Sequence, residues 1–276
     1  MPDKKWGWFT VLFVLALAVC AWWIAVTKDP AVVRCQFVVV ELMLIGLCVV
    51  AGLMVHSRID GILIDDRNRI SLSRFQWVVW LVLILGAYFT ESIWNTSQNL
   101  ALPIIQTQLL ALLGISSGSA VVSNVIAENK KTTPPPAAVP VQAPVAAAPG
   151  NPTTRMSATN GPMVVAAAPP PPPATHRVVG ALAANSTAGV ASWSDLFLGD
   201  EEATYRTVDI SRLQKLVITV LLAAIYLTYL WTELGKATIG TALAMPTFGD
   251  DSNGFLWLLG ISHGAYLAQK ATPKPA

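Results

Sequence analysis

Charge is what this chain is shortest of. Only 12% of its 276 residues are Asp, Glu, Lys or Arg, about half the share that clothes a soluble domain. A water-facing surface around an apolar interior of this size needs more, so a single soluble globule is excluded. Cysteine is also scarce. The three present, Cys20, Cys35 and Cys48, lie in or beside the first two apolar blocks, which leaves neither a disulfide framework nor a zinc site. Nucleotide-binding loops, metal-ligand clusters and basic patches beyond the flanks of apolar blocks are missing. No cofactor, no metal and no nucleic-acid partner is therefore expected.

What is present is apolar and gathered into blocks. The chain is 54% hydrophobic, with a mean hydropathy of +0.54. Six blocks stand out: Trp8 to Val26, Gln36 to Val55, Phe75 to Phe89, one within Leu100 to Ile126, Leu216 to Leu234, and Phe255 to Ala268. A helix needs about 20 residues to cross a bilayer core, so the last block must borrow from its flanks or be sheltered by neighbours. The first block follows Lys4 and Lys5 but is long for a signal peptide and lacks an A-x-A cleavage site, so it reads as a retained helix. Six spans put 15 Lys and Arg on one side and 3 on the other. That asymmetry predicts both termini and the central segment in the cytoplasm of an inner-membrane, multi-pass protein.

The fold expected is all-α: a polytopic bundle of six transmembrane helices. A two-helix leader spans 1–57 and a cytoplasmic β-hairpin 58–74, where "GILID" and "RISLS" flank an Asp/Asn turn. A first membrane hairpin covers 75–127. Residues 128–191 form a disordered Pro/Ala-rich linker, with 13 prolines in 132–173. An amphipathic juxtamembrane segment follows over 192–208, with Ser194 as expected N-cap and Asp200, Glu201 and Glu202 on a solvated face. A second membrane hairpin occupies 209–271, and a tail 272–276.

Two stretches are written twice. Ser73–Thr90 and Ser211–Thr228 align without gaps and match at 8 of 18 positions. The shared header is S-R-x-Q: Ser73, Arg74 and Gln76 against Ser211, Arg212 and Gln214. Where these helices enter the membrane, Ser suits a helix cap, Arg suits lipid phosphate or a carboxylate, and Gln suits a neighbouring backbone. Further on, "LLALLGISSG" at 109–118 and "FLWLLGISHG" at 255–264 match at 7 of 10. The chain thus reads as a leader plus a duplicated helical hairpin, both copies running the same way.

The repeated G-I-S-x-G has two readings. On a helix it places Gly114 with Gly118, and Gly260 with Gly264, on one face: the G-x-x-x-G notch through which membrane helices approach, with Ser116 and Ser262 adding hydrogen bonds. As G-x-S-x-G it is the motif of serine hydrolases, but the strand before that serine has no place in a membrane block. Six spans, this motif in the fourth block and a histidine in the sixth resemble the rhomboid intramembrane proteases. The resemblance implies Ser116 or Ser117 as nucleophile and His263 as base. Three features weigh against it: the repeat already accounts for the serine, the second block offers no polar oxyanion partner, and the family's Trp-Arg loop is absent. The packing reading is preferred.

Few polar groups remain inside the blocks. Glu41 is expected to face protein or water, toward His263 or Gln108, while Glu91 and Glu233 lie near the outer helix ends, where water is available. No catalytic residue is expected. The chain reads as a non-enzymatic anchor or scaffold for a membrane-associated assembly. It would be embedded in the bilayer, homo-oligomeric or paired with a membrane protein, and would meet cytoplasmic partners through 58–74 and 192–208. A small channel or transporter using Glu41 and His263 is the alternative reading.

Overall fold

The computed structural model describes residues 29–132, 176–246 and 253–272, with part of the stretch 12–27, whose described positions are helical. The proline tract and the centre of the first apolar block lie outside the described residues. Five helices dominate: α1 (Val33–His56), α2 (Leu72–Ser97), α3 (Thr107–Thr132), α4 (Ile210–Leu234) and α5 (Asn253–Ala271). Four segments are long and apolar enough to cross a membrane: Pro30–His56, Leu72–Ser97, Thr107–Thr132 and Ile210–Leu234. The short last block does extend into its flanks. At 19 residues α5 reaches about 28 Å.

Local chemistry sets the helix ends. Asp29 accepts from Ala31 N at 2.9 Å ahead of a 3-10 turn, Pro30–Val32, that leads into α1. Ser57 stops α1 in the left-handed region, φ 56°, with its N–H on Leu53 O. The serines of the S-R-x-Q headers are not the caps. Ser71 and Asp209 hold the extended N-cap conformation, each two residues earlier. Asp209 accepts from Ser211 N and Arg212 N at 3.1 and 3.4 Å. Aspartate is the better cap here because its carboxylate reaches two orphan N–H groups at once.

Helices α2, α3, α5 and α4 pack in a closed ring, α2 on α3, α3 on α5, α5 on α4 and α4 on α2, while α1 lies against α2 and touches α4. Trp80, Ile84, Trp94, Leu112, Tyr226 and Leu230 fill the interior. The outside is equally apolar, with Leu42, Ile45, Val121, Leu221, Trp257 and Ile261 all exposed. Apolar surface on that scale is what lipid covers. Lipid supplies no hydrophobic drive between helices, so packing and polar links must hold them together. One such link closes the end opposite the cap. There Asn95 Nδ2 donates to Leu243 O at 2.9 Å and Asn95 Oδ1 accepts from Leu243 N at 2.8 Å.

At the other end, α1, α3 and α5 finish and α2 and α4 begin beneath a folded cap. The expected hairpin over 58–74 reduces to one bridge, Ile64 to Ile70, behind a 3-10 turn at Gly61–Leu63. The physical reason is the tightness of its turn. Asp65 Oδ1 accepts from both Arg67 N and Arg69 N, at 2.9 and 3.1 Å, with Asn68 at φ 57°. Gly61 also lies backbone to backbone on Gly52 of α1: a methyl on Gly52 would meet Arg58 O, Gly61 N and Ile62 N, each at 2.9 Å.

The two-stranded sheet lies instead inside the expected linker, as β1 (His176–Val179) antiparallel to β2 (Leu182–Asn185). Its two-residue turn puts Gly180 at φ 60°, a slot that favours glycine. β2 continues onto the following segment, with Ala183 N on Asp200 O at 2.9 Å and Glu202 N on Ala181 O at 3.1 Å. Composition pointed to disorder for 176–191 because only contacts distant in sequence stabilise it. Likewise, 192–208 holds one 3-10 turn, Trp193–Leu196, capped by Ser192 and not Ser194, with Asp195 completing a capping box.

Candidate functional site

Between cap and bundle lies a cluster of buried charge. Asp200 is only 8% exposed. Its Oδ1 meets Arg67 Nη2 and Arg212 Nη1, each at 3.0 Å, and its Oδ2 meets Lys270 Nζ at 3.3 Å. Arg69 Nη1 stands 3.9 Å away. Arg67 also reaches Asp65 at 2.8 Å, and Arg69 reaches Asp195 at 3.3 Å and Gly199 O at 2.7 Å. Beside them Lys130 pairs with Glu201 at 2.5 Å. Five segments meet here: the α1–α2 loop, the C-termini of α3 and α5, the 3-10 turn with the strand-like segment after it, and the start of α4.

Burial alone would raise the Asp200 carboxyl, but Arg212, Arg67, Lys270 and Arg69 together hold it well below its usual range. Burial lowers the Arg69 guanidinium, and the attraction of Asp200 and Asp195 only partly offsets it. Asp200 is the hinge of the arrangement.

The three adjacent acids do point in different directions, as three successive residues must. Their solvated face is nonetheless a correction, since each direction meets a partner from another element: Arg67, Arg212 and Lys270 for Asp200, Lys130 for Glu201, and the His176 imidazole for Glu202 at 2.5 Å. His176 in turn stacks on Tyr205, with ring centroids 4.0 Å apart.

The two headers are not equivalent in space. Ser73 is buried, and its Oγ has no hydrogen-bond partner. Exposed Arg74 donates to Ile64 O at 2.6 Å. Buried Gln76 donates to Lys215 O at 3.4 Å and to the Thr219 hydroxyl, which ties α2 to α4. In the second copy Ser211 Oγ donates to Asp209 at 2.6 Å, Arg212 is buried on Asp200, and Gln214 is exposed. Arginine anchors a loop in one copy and the ion cluster in the other.

The glycine notches are not closed by any of the described residues. Gly114, Gly118 and Gly264 are exposed and Gly260 is half-buried, and among the described residues a methyl on any of them would meet nothing within 4 Å. The serines beside them face inward instead: among the described residues Ser116 and Ser262 are buried without hydrogen-bond partners, and so are both ring nitrogens of His263. Ser117 Oγ donates to Leu113 O at 2.7 Å in its own helix. No hydrogen bond joins His263 to either serine of the G-I-S-S-G stretch. Glu41 packs on Gly86, whose missing side chain makes room for the carboxylate, and it lines a groove with Leu42, Ile45, Leu83, Thr228 and Trp231. It meets neither His263 nor Gln108. Glu91, expected near water, is fully buried, and neither carboxyl oxygen has a hydrogen-bond partner.

Sequence reasoning counted Arg67, Arg69, Lys130, Lys215 and Lys270 only as signs of topology, while Arg212 was singled out in the second header. One signal was available. In the repeat alignment Lys215 occupies the place of Trp77, a cation where the first copy is apolar. It is 1% exposed, donates to Ser119 Oγ at 3.1 Å and stands 4.1 Å from the Tyr266 ring, which Lys270 shares at 5.7 Å. Comparison with protein-family models, curated proteins and solved structures returns no match.

Proposed function

We propose that this protein is a non-enzymatic anchor of the inner membrane that presents a fixed cytoplasmic platform to a membrane-associated assembly. The observation that carries the reading is the cap, whose loop, hairpin and strand-like segment are bolted to one another and to three helices, α3, α4 and α5, by buried ion pairs. A surface that must hold a partner in one orientation needs that stiffness; a spacer does not. The platform offers 58–74 and 192–208, including half-exposed Trp193 edge-on to Phe75 at 6.3 Å.

In this reading six helices span the bilayer, with both termini and the proline tract on the cap side. The tandem repeat agrees with two parallel hairpins lying side by side, α2 beside α4 and α3 beside α5, an arrangement that a lateral shift relates and a twofold along the membrane normal does not. The outward glycines of α3 and α5 then serve a second copy or a partner helix. A channel built on Glu41 and His263 fits less well, since the two lie on different helix faces with no hydrogen bond or ion pair between them.

The deciding experiment is affinity purification from gently solubilised membranes, followed by mass spectrometry and sizing. Co-purification of a partner that is lost on truncating 192–208 supports the platform. Recovery of monomer alone, with no partner, refutes it. Gly118→Leu with Gly264→Leu should reduce oligomer while leaving the monomer folded, because inside one chain these positions face open space.

A further inference from the structure

Asp200 holds more positive charge than one carboxylate balances. Arg67 and Arg69 have Asp65 and Asp195 as second partners. Among the described residues Arg212 and Lys270 pair with no carboxylate except Asp200. Among the described residues Lys215, one turn along α4 from Arg212, is buried with no carboxylate within 4 Å and is held by a serine hydroxyl and a tyrosine ring. Four cations, Arg67, Arg69, Arg212 and Lys270, surround Asp200, and among the described residues Asp65 and Asp195 are the other carboxylates paired with them.

Cations taken out of water are costly unless matched, and a group of charge near −2 matches this set better than one carboxylate. Beside Asp200 a cavity of about 20 Å³, room for roughly one water, is lined by Lys130, Arg212, Tyr266 and Lys270, with the acids Glu201 and Asp209 also on its wall. The stretch that carries Asp200, 197–209, belongs to no helix or named strand; isolated bridges at Leu182–Glu201 and Leu198–Val208 and backbone hydrogen bonds such as Ala183 N to Asp200 O hold it.

We propose that this cationic mouth is a binding site for a phosphate group, occupied at rest by the chain's own Asp200, so that a phosphate-bearing ligand displaces the aspartate and frees 197–209. The site lies where the helices leave the membrane, so the phosphate comes from a lipid headgroup or from solution. The chemistry of recognition is the same: arginine forks and lysine ammonium groups on phosphate oxygens. The proposal does not depend on the anchor reading.

Hydrogen exchange on the full-length protein tests it, followed at the Ala183, Glu202 and Asp209 amides, which hydrogen-bond across this stretch. In zwitterionic nanodiscs, inorganic phosphate should speed exchange at these amides while α2 and α4 stay unchanged, and sodium chloride at the same ionic strength should not. A response to inorganic phosphate assigns a soluble ligand; a response only to phosphatidylglycerol nanodiscs assigns the headgroup. In Asp200→Asn the competitor is gone. If the wild-type mouth is open less than about a tenth of the time, the variant binds phosphate about tenfold tighter or more. Adding Lys270→Gln, which removes an ammonium that in the native chain meets Asp200 at 3.3 Å, should cancel that gain. Should Asp200→Asn fail to fold, Lys270→Gln in the otherwise native chain should abolish the phosphate-driven exchange. The proposal is overturned if neither phosphate source changes exchange at these amides, or if matched chloride does so equally.

Discussion

Replacing Asp200 with alanine removes the carboxylate that Arg67, Arg212 and Lys270 share at 3.0 to 3.3 Å. Arg67 keeps Asp65, but Arg212 and Lys270 are left buried without a counter-charge. Removing one partner of a buried ion pair costs about 3–5 kcal/mol, most of it for the stranded charge. The loss falls on the cap, because the helix ring has its own core around Trp80, Trp94 and Tyr226. At about 1.4 kcal/mol per factor of ten, cap amides such as Ala183 and Asp209 should exchange between about a hundredfold and a few thousandfold faster, with α2 and α4 nearly unchanged.

Acid should reproduce the effect in the native chain. The Asp200 carboxyl titrates well below its usual value when folded, so its stabilisation is complete above the unfolded pKa of about 3.9 and is lost as pH falls below it. Cap exchange, corrected for intrinsic rates, should rise below about pH 4 in the native protein, and this component should be missing from Asp200→Ala. If the variant's cap amides change by less than about tenfold, the cluster does not hold the cap and the argument fails.

Other substitutions separate contacts that look alike in the sequence. Gly52→Ala meets the cap-loop backbone at 2.9 Å and should cost about 1–3 kcal/mol as overpacking; a midpoint within 0.5 M denaturant of native would contradict the geometry. Gly114→Ala and Gly264→Ala meet nothing, and in detergent-solubilised monomer they should be neutral or stabilising by up to about 1 kcal/mol. Arg212→Ala should destabilise the cap far more than Arg74→Ala, whose single bond to Ile64 O is worth about 1.5–3 kcal/mol at most, and paired thermal melts compare them directly. Ser192→Ala should loosen the Trp193–Leu196 turn by about 1 kcal/mol, read as faster exchange at the Asp195 amide.

Length and apolarity are properties of consecutive residues, so a reader of the chain alone finds helices long and apolar enough to cross a membrane and the extension of the short final block. Their ends run up to eight positions past the apolar blocks, as α2 does in reaching Ser97 beyond Phe89. Charge alternation is equally local, and it gathers the cationic ends of α2 to α5 at one end of the bundle, where the cap sits. Which way each helix turns about its own axis is not local. The G-I-S-x-G motif contains an inward serine and outward glycines in the same turn, and nothing in those five residues says which side meets α5. Rotation was settled by the ring of neighbours, with Lys215, Tyr266 and Ser119 meeting in its interior. The cap shows the same division more sharply. Residues 176–209 carry weak local preferences, so their order comes from hydrogen bonds and ion pairs to segments as much as 133 residues away. Asp200 is one more surface acid until folding surrounds it with four cations drawn from three separate parts of the chain.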